Sequence, residues 1–442
     1  MLVEGPVGRT LFRLTVPMVF GMIGMVAFNI VDTFFVGKLG TDELAALSFT
    51  FPVILVIHSL ALGLGTGASA VISRAIGEGD HDKVKRLTTD SLVLSVLVVM
   101  IFVVAGLLTI GPVFRLLGAD SKTIPLIRQY MRIWYLGVGL VVVPMVGNNA
   151  IRATGDTRTP SIIMLAAVGI NTVLDPLFIF GIGPFPRLEL AGAAIATVIG
   201  RMLTFTVALW VLGYRDKMLS FAIPPFKAIA DSWREILFIG LPTAGTRVVI
   251  PLAMGMIMRF VASYGTAAVA AFGVATRIEF FALTVIRALS SVLMPFVGQN
   301  WGAGRQGRAV LGLKYSQKFS LAWGAGMFLV LAIAARPIAS LFNDNPSVIS
   351  TIAIYLRIVP LGYGLYGILL LAAAGLNVLK RPLHAAGLSI MHMFGLYIPL
   401  ALVGSHMLGL RGMFIGFAVS YLAAGVAAHI VLGRMVAKEC QA

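Results

Sequence analysis

Asp32 and Asp175 are the residues most able to do chemistry in this chain. Asp32 sits in VAFNIVDTFFVG, with no other charge between Arg13 and Lys38. Asp175 sits in GINTVLDPLFIFG, the only charge between Arg158 and Arg187. An ionisable side chain at membrane depth costs about 2.5–3.5 kcal/mol on insertion scales, and such residues are kept chiefly for ion or proton handling. Asn29 precedes Asp32 by three residues and Asn171 precedes Asp175 by four, so each amide shares a helix face with its carboxylate. At a helical rise of about 1.5 Å per residue, Asp32, Asp175 and Thr197 lie roughly 6, 12 and 10 Å inside the outer ends of their spans. Carboxylate, amide and hydroxyl oxygens together suit Na⁺, or a carboxyl pair that takes up H⁺. Close carboxylates disfavour double ionisation and titrate as a pair.

Arg201, four residues after Thr197 on the same helix face, allows a different reading, a static buried salt bridge with Asp175. Glu279, in VATRIEFFALTVIRALS with Arg277 and Arg287 nearby, reads as a structural ion pair or as a further group for cation or proton passage. Arg247 and Arg259 are expected to snorkel or pair at the interface. Met254, Met256 and Met258 either pack or line a pliable cavity. Pro17 removes the hydrogen bond to the Arg13 carbonyl and bends its helix, as a hinge or as a fixed kink.

The elements that must position these residues are membrane helices. Of 442 residues, 59% are hydrophobic and 12% charged, against about 25% charge in soluble domains. A helix needs about 20 apolar residues to cross the bilayer. Twelve spans are expected, near 11–36, 47–73, 90–113, 128–151, 160–183, 190–213, 236–260, 267–296, 316–336, 351–379, 383–404 and 411–433. The termini and even-numbered loops hold 20 Lys and Arg against seven in the odd loops, which orients both termini to the cytoplasm. The net charge of +16 is then topology and lipid-headgroup contact, and nucleic acid is not an expected partner. The single cysteine, Cys440, excludes disulfides and thiolate metal sites. Lack of GxxxxGK[ST], HExxH and GxSxG argues against built-in ATPase or hydrolase chemistry, and the chain is not expected to be an enzyme.

The chain is also duplicated. Pro17 matches Pro242, Gly77-x-Gly79 matches Gly302-x-Gly304, and Tyr130, Arg132, Gly137 and Gly139 match Tyr355, Arg357, Gly362 and Gly364, all at an offset of 225. Later, Leu190-x-Gly192 matches Leu410-x-Gly412 at an offset of 220. Six spans per copy make parallel repeats about an axis along the membrane normal. The expected organisation is an N-terminal six-helix bundle over 1–213, a cytoplasmic linker over 214–235 and a C-terminal bundle over 236–442. Transporters place their sites near such repeat interfaces and alternate access by rocking one bundle against the other.

VDTFFVGKLG after the first helix, RAIGEGD after the second, RATGDTRTP after the fourth and GQNWGAGR after the eighth resemble the multidrug and toxic compound extrusion (MATE) transporters, over essentially the whole chain. The resemblance implies a multi-pass protein of the cell inner membrane that antiports organic, often cationic and aromatic, compounds against H⁺ or Na⁺. No other cofactor is implied, and the transporter is expected to be monomeric. In one branch of the family an aspartate in helix 1, an Asn-x-x-x-Asp in helix 5 and a threonine in helix 6 form the coupling site. Asp32, Asn171, Asp175 and Thr197 match these. A second branch uses acids in helices 7 and 10, which this sequence lacks. The competing reading within transport is a flippase for a lipid-linked or amphiphilic metabolite.

Overall fold

The computed structural model describes residues 2–37, 39, 41–182, 184–220, 222 and 224–441, all helical or connecting, with no strand among them. The side chains of residues 28–34, 36–37 and 41–45 lie outside the described part, and Asn29 and Asp32 fall in this group. Seven helices lead off: α1 (Val7–Gly37), α2 (Thr41–Glu78), α3 (His81–Leu116), α4 (Thr123–Gly137), α5 (Gly139–Ala153), α6 (Arg158–Phe180) and α7 (Glu189–Trp210). A π-helical turn at Val211–Arg215 ends this half. Then come α8 (Phe226–Ala262), α9 (Thr266–Gly302), α10 (Gln306–Ile333), the short α11 (Ala335–Ser340), α12 (Pro346–Ile358), α13 (Tyr363–Val378), α14 (Pro382–Ile390) and α15 (Ile398–Gln441). A π-helical stretch, Met391–Tyr397, joins α14 to α15.

One span in each copy departs from a straight rod, at corresponding positions. The fourth expected span is broken at Val138, where α4 and α5 meet at 43°. Its repeat counterpart is broken by a 3₁₀ turn at Val359–Gly362 between α12 and α13. The breaks fall at the matched glycine pairs. A Cβ at Gly137 would overlap the Val198 side chain, and one at Gly362 would sit 2.5 Å from the Tyr421 Cβ. Glycine at both places lets a neighbouring helix press against the bend. Within α15 the chain folds back at Leu408–Gly409, where Gly409 adopts φ 60° and ψ −143°. The two arms then pack backbone to backbone, because a Cβ at Gly412 would overlap the Gly404 carbonyl and one at Gly416 the Leu400 carbonyl. With α15 counted as two arms, the broken pairs as one span each and α14 joined to the first arm of α15, the described helices supply the twelve expected spans.

Gly412→Val is therefore expected to destabilise the α15 hairpin by about 2–3 kcal/mol through overpacking against rigid backbone. A lowered unfolding midpoint in detergent, beside an unchanged Gly387→Ala control, is the check. A Cβ at Gly387 meets nothing within 4 Å.

The residues divide into two compact units, Val16–Ala244 and Met1–Thr15 with Gly245–Ala442. Thus α1 and α8 each change unit part-way along, close to Pro17 and to its repeat mate Pro242. In the first unit the start of α8 lies against α2 and α3: a Cβ at Gly67 of α2 would overlap the Ile236 carbonyl, and Trp233 Nε1 donates to the Asp90 carbonyl of α3 at 3.0 Å. In the second, the GQNWGAGR segment binds the N-terminal residues. Leu2 N–H donates to Gln299 Oε1 at 2.7 Å, and Asn300 Nδ2 donates to the Leu2 carbonyl at 3.1 Å. Arg308 donates to the Glu4 and Gly5 carbonyls at 2.7 and 2.6 Å.

Candidate functional site

In the first unit, the contact between α6 and α7 builds a largely apolar cavity with three polar side chains in its wall. α7 opens on the small-residue run Ala191-Gly192-Ala193-Ala194, and small residues let apolar helices approach closely where no hydrophobic drive exists between them. A Cβ at Gly192 would overlap the Phe178 carbonyl, and one at Gly200 would lie 3.5 Å from the Ala167 carbonyl and 3.8 Å from the Asn171 Cβ. Two glycines eight residues apart thus lay one face of α7 along α6. That approach brings Thr197 and Arg201 beside Asn171, and all three line one cavity of about 360 Å³, open mouth included, together with Met25 of α1. Asn171 is 2% exposed, and Asp175, one turn further along α6, is fully buried. Neither amide atom of Asn171 has a hydrogen-bond partner among the described residues. An amide buried without partners costs several kcal/mol unless a ligand, ion or water satisfies it, so the cavity is suited to a bound polar group or water beside the Arg201 guanidinium. Asp32 lies seven residues beyond Met25 in the same helix, outside the described side chains.

In the second unit, Glu279 of α9 is gripped by phenols. Tyr355 of α12 donates to Oε2 at 2.6 Å, Tyr421 of α15 donates to Oε1 at 2.7 Å, and Tyr363 of α13 reaches Oε2 at 3.4 Å. These tyrosines are between 0 and 4% exposed. Around them Tyr397 stacks on Phe417 at 4.3 Å and 6°, and Tyr366 stacks on Tyr421 at 4.5 Å and 24°. His392 lies 5.5 Å from the Tyr421 ring, and its Nε2 has no hydrogen-bond partner among the described residues. It belongs to the Met391–Tyr397 π segment, and π turns interrupt helices frequently at functional sites.

A family model described as MatE matches the chain twice, over residues 17–177 and 242–403. The two matches begin 225 residues apart, the offset of the internal repeat. This chain is a MATE-family membrane transporter. An FAD transporter of Shewanella oneidensis is 40% identical over 434 residues, covering 98% of this chain and 96% of that relative. The multidrug export protein MepA of Staphylococcus aureus is 25% identical over 438 residues, covering 97% and 94%. Among solved structures, the Vibrio cholerae MATE transporter VcmN in its bent form gives a TM-score of 0.94 at 31% identity, with 98% of each chain covered.

Of the residues the sequence singles out in this transporter, the structure brings Asn171, Thr197 and Arg201 together and buries Asp175 one turn away. Pro17 lies within α1, two residues past the point where that helix changes unit. Of the two readings of Glu279, the ion pair is not formed among the described residues: neither Arg277 nor Arg287 comes within 4.0 Å of its carboxylate. The phenols take that place, and they come from elements 76 to 142 residues away in sequence. Only the Tyr130–Tyr355 repeat match pointed to any of them. Arg247 also departs from expectation. It stands about 22 Å by helix rise from the Ala262 end of α8, too deep for its stem to snorkel, whereas Arg259 is three residues from that end. The duplicated scaffold carries different chemistry in its two copies. Glu279 corresponds to Ile54 and Asp32 to Ile257, while Arg201 and Tyr421 match at the offset of 220.

Proposed function

We propose that this transporter is a cation-coupled antiporter of the cell inner membrane, with both termini cytoplasmic, in which H⁺ or Na⁺ enters as an organic cargo leaves. The coupling residues in this reading are Asp32, Asn171, Asp175 and Thr197. The observation that carries it is the cavity in which Asn171, its amide without a partner among the described residues, meets Thr197 one turn from the fully buried Asp175. Ionisable and oxygen groups at that depth mark ion or proton pathways. Pro17 acts as the hinge by which α1 responds to occupancy of the site, and Pro17→Ala is expected to slow transport.

For the cargo, the 40% identical FAD transporter supports a flavin dinucleotide or a compound like it. Multidrug export is the second reading, supported by MepA. The test is efflux from proteoliposomes with an imposed Na⁺ gradient, H⁺ gradient or neither, using FAD and a cationic dye as cargoes. Gradient-dependent FAD movement is the expected result. Equal efflux with and without a gradient would sink the antiport reading, and dye movement without FAD movement would favour the second cargo.

A further inference from the structure

Resting on the reading of an anionic aromatic cargo, we infer that Arg247 and Arg287 form an anion-binding site on the second unit that receives the phosphate or carboxylate groups of the transported compound. Counted from the short turn at 263–265 that joins the two helices, Arg247 lies 15 residues into α8 and Arg287 lies 21 residues into α9, about 22 and 32 Å by helix rise, so both lie well inside their spans. Arg287 lies within Coulombic reach of Arg247, so two like charges are placed near one another in this unit. Neither forms an ion pair among the described residues. The carboxylate within Coulombic reach, Glu279, has its oxygens occupied by Tyr355, Tyr363 and Tyr421. Two cations and one acid leave the cluster net positive even with Glu279 ionised.

Charged side chains at this depth face a bundle interior or a water-filled cavity, because lipid does not solvate them. Arg247 is exposed on its helix, and a guanidinium at this depth is satisfied by water or an anion rather than by lipid. Arg287 is half-buried, and its Nε is buried without a hydrogen-bond partner among the described residues. A guanidinium presents a planar fork of donors that matches phosphate and carboxylate oxygens bidentately. Flat apolar surface adjoins it. The Arg287 guanidinium carbon lies 5.3 Å from the centroid of the Phe280 ring, and Tyr366 lies beside it. Met254 and Met258, seven and eleven residues after Arg247, continue its face of α8 with deformable side chains. Cations flanked by rings and methionines fit a flat aromatic compound that carries anionic groups, and repel an organic cation.

The site is tested by ligand binding to the purified full-length transporter in detergent. The probes are FAD, riboflavin as its phosphate-free counterpart, and fluorescein as an unrelated aromatic anion. Arg247→Gln and Arg287→Gln are each expected to weaken FAD and fluorescein about tenfold or more, the scale of one charge-assisted hydrogen bond. Riboflavin binding should change less than about twofold, which also reports that the variants are folded, and Arg247→Lys should recover part of the loss. Undiminished FAD affinity in both glutamine variants, or equal losses for FAD and riboflavin, overturns the anion site and leaves the FAD reading in place. Fluorescein binding that depends on both arginines, in a wild-type protein that does not bind FAD, removes the FAD reading and supports the site.

Discussion

Asp175→Asn is expected to leave the transporter folded and to abolish its ability to concentrate cargo against a gradient. Asparagine keeps the shape of the side chain and removes its charge. Asp175 is fully buried, and asparagine fills the same volume there. What it does remove is the group able to release and rebind a proton or hold a cation. A tenfold ion gradient supplies about 1.4 kcal/mol per ion, enough for about a tenfold cargo gradient at one ion per cargo. The variant should lose all of that, and its steady-state cargo ratio in proteoliposomes should fall to the value set by leak alone. Thr197→Val and Asn171→Ala remove neutral ligands worth about 1 kcal/mol each, so coupling should weaken about fivefold without vanishing. Full accumulation by Asp175→Asn would move the coupling site elsewhere in the molecule.

Glu279→Leu is expected to destabilise the second unit by about 3–5 kcal/mol. The substitution leaves the buried hydroxyls of Tyr355 and Tyr421, and the more distant one of Tyr363, without their acceptor. An orphaned buried hydroxyl costs about 1–3 kcal/mol. The surrounding stack of Tyr366, Tyr397 and Phe417 is tightly packed, so the phenols cannot turn outward to find water without breaking ring contacts. Glu279→Gln retains one acceptor oxygen and adds an amide that a phenol oxygen can accept, and should cost about 1 kcal/mol. Unfolding midpoints in detergent separate the two. Midpoints of Glu279→Leu and wild type that coincide would show that the carboxylate does not organise the tyrosines.

The helical frame was readable from the chain because bilayer thickness imposes long apolar runs and because matched residues recur at one offset. The span ends at 404 and 411 anticipated the turn at Leu408–Gly409. The bends at Val138 and Val359–Gly362 were not anticipated. Glycine marks a possible break, but the neighbouring Val198 and Tyr421 side chains that press on Gly137 and Gly362 come from other helices.

The same division separates the two sites. Asn171 and Asp175 lie one helical turn apart, so local spacing alone puts them on one face, and their lone polarity in an apolar span marked them for function. Thr197 and Arg201 join them only because Gly192 and Gly200 bring α7 against α6, a packing relation that one-dimensional spacing does not encode. Glu279 shows the limit more sharply. Its neighbours in sequence, Arg277 and Arg287, made an ion pair one of two readings, whereas its oxygen partners come from three other helices. The chain by itself determined where charge is buried, because hydropathy is a property of each residue and its immediate neighbours. The tertiary structure decided what each buried charge touches. It left Arg247 and Arg287 without a carboxylate at ion-pair distance, because hydrogen-bond geometry depends on where distant helices are brought together.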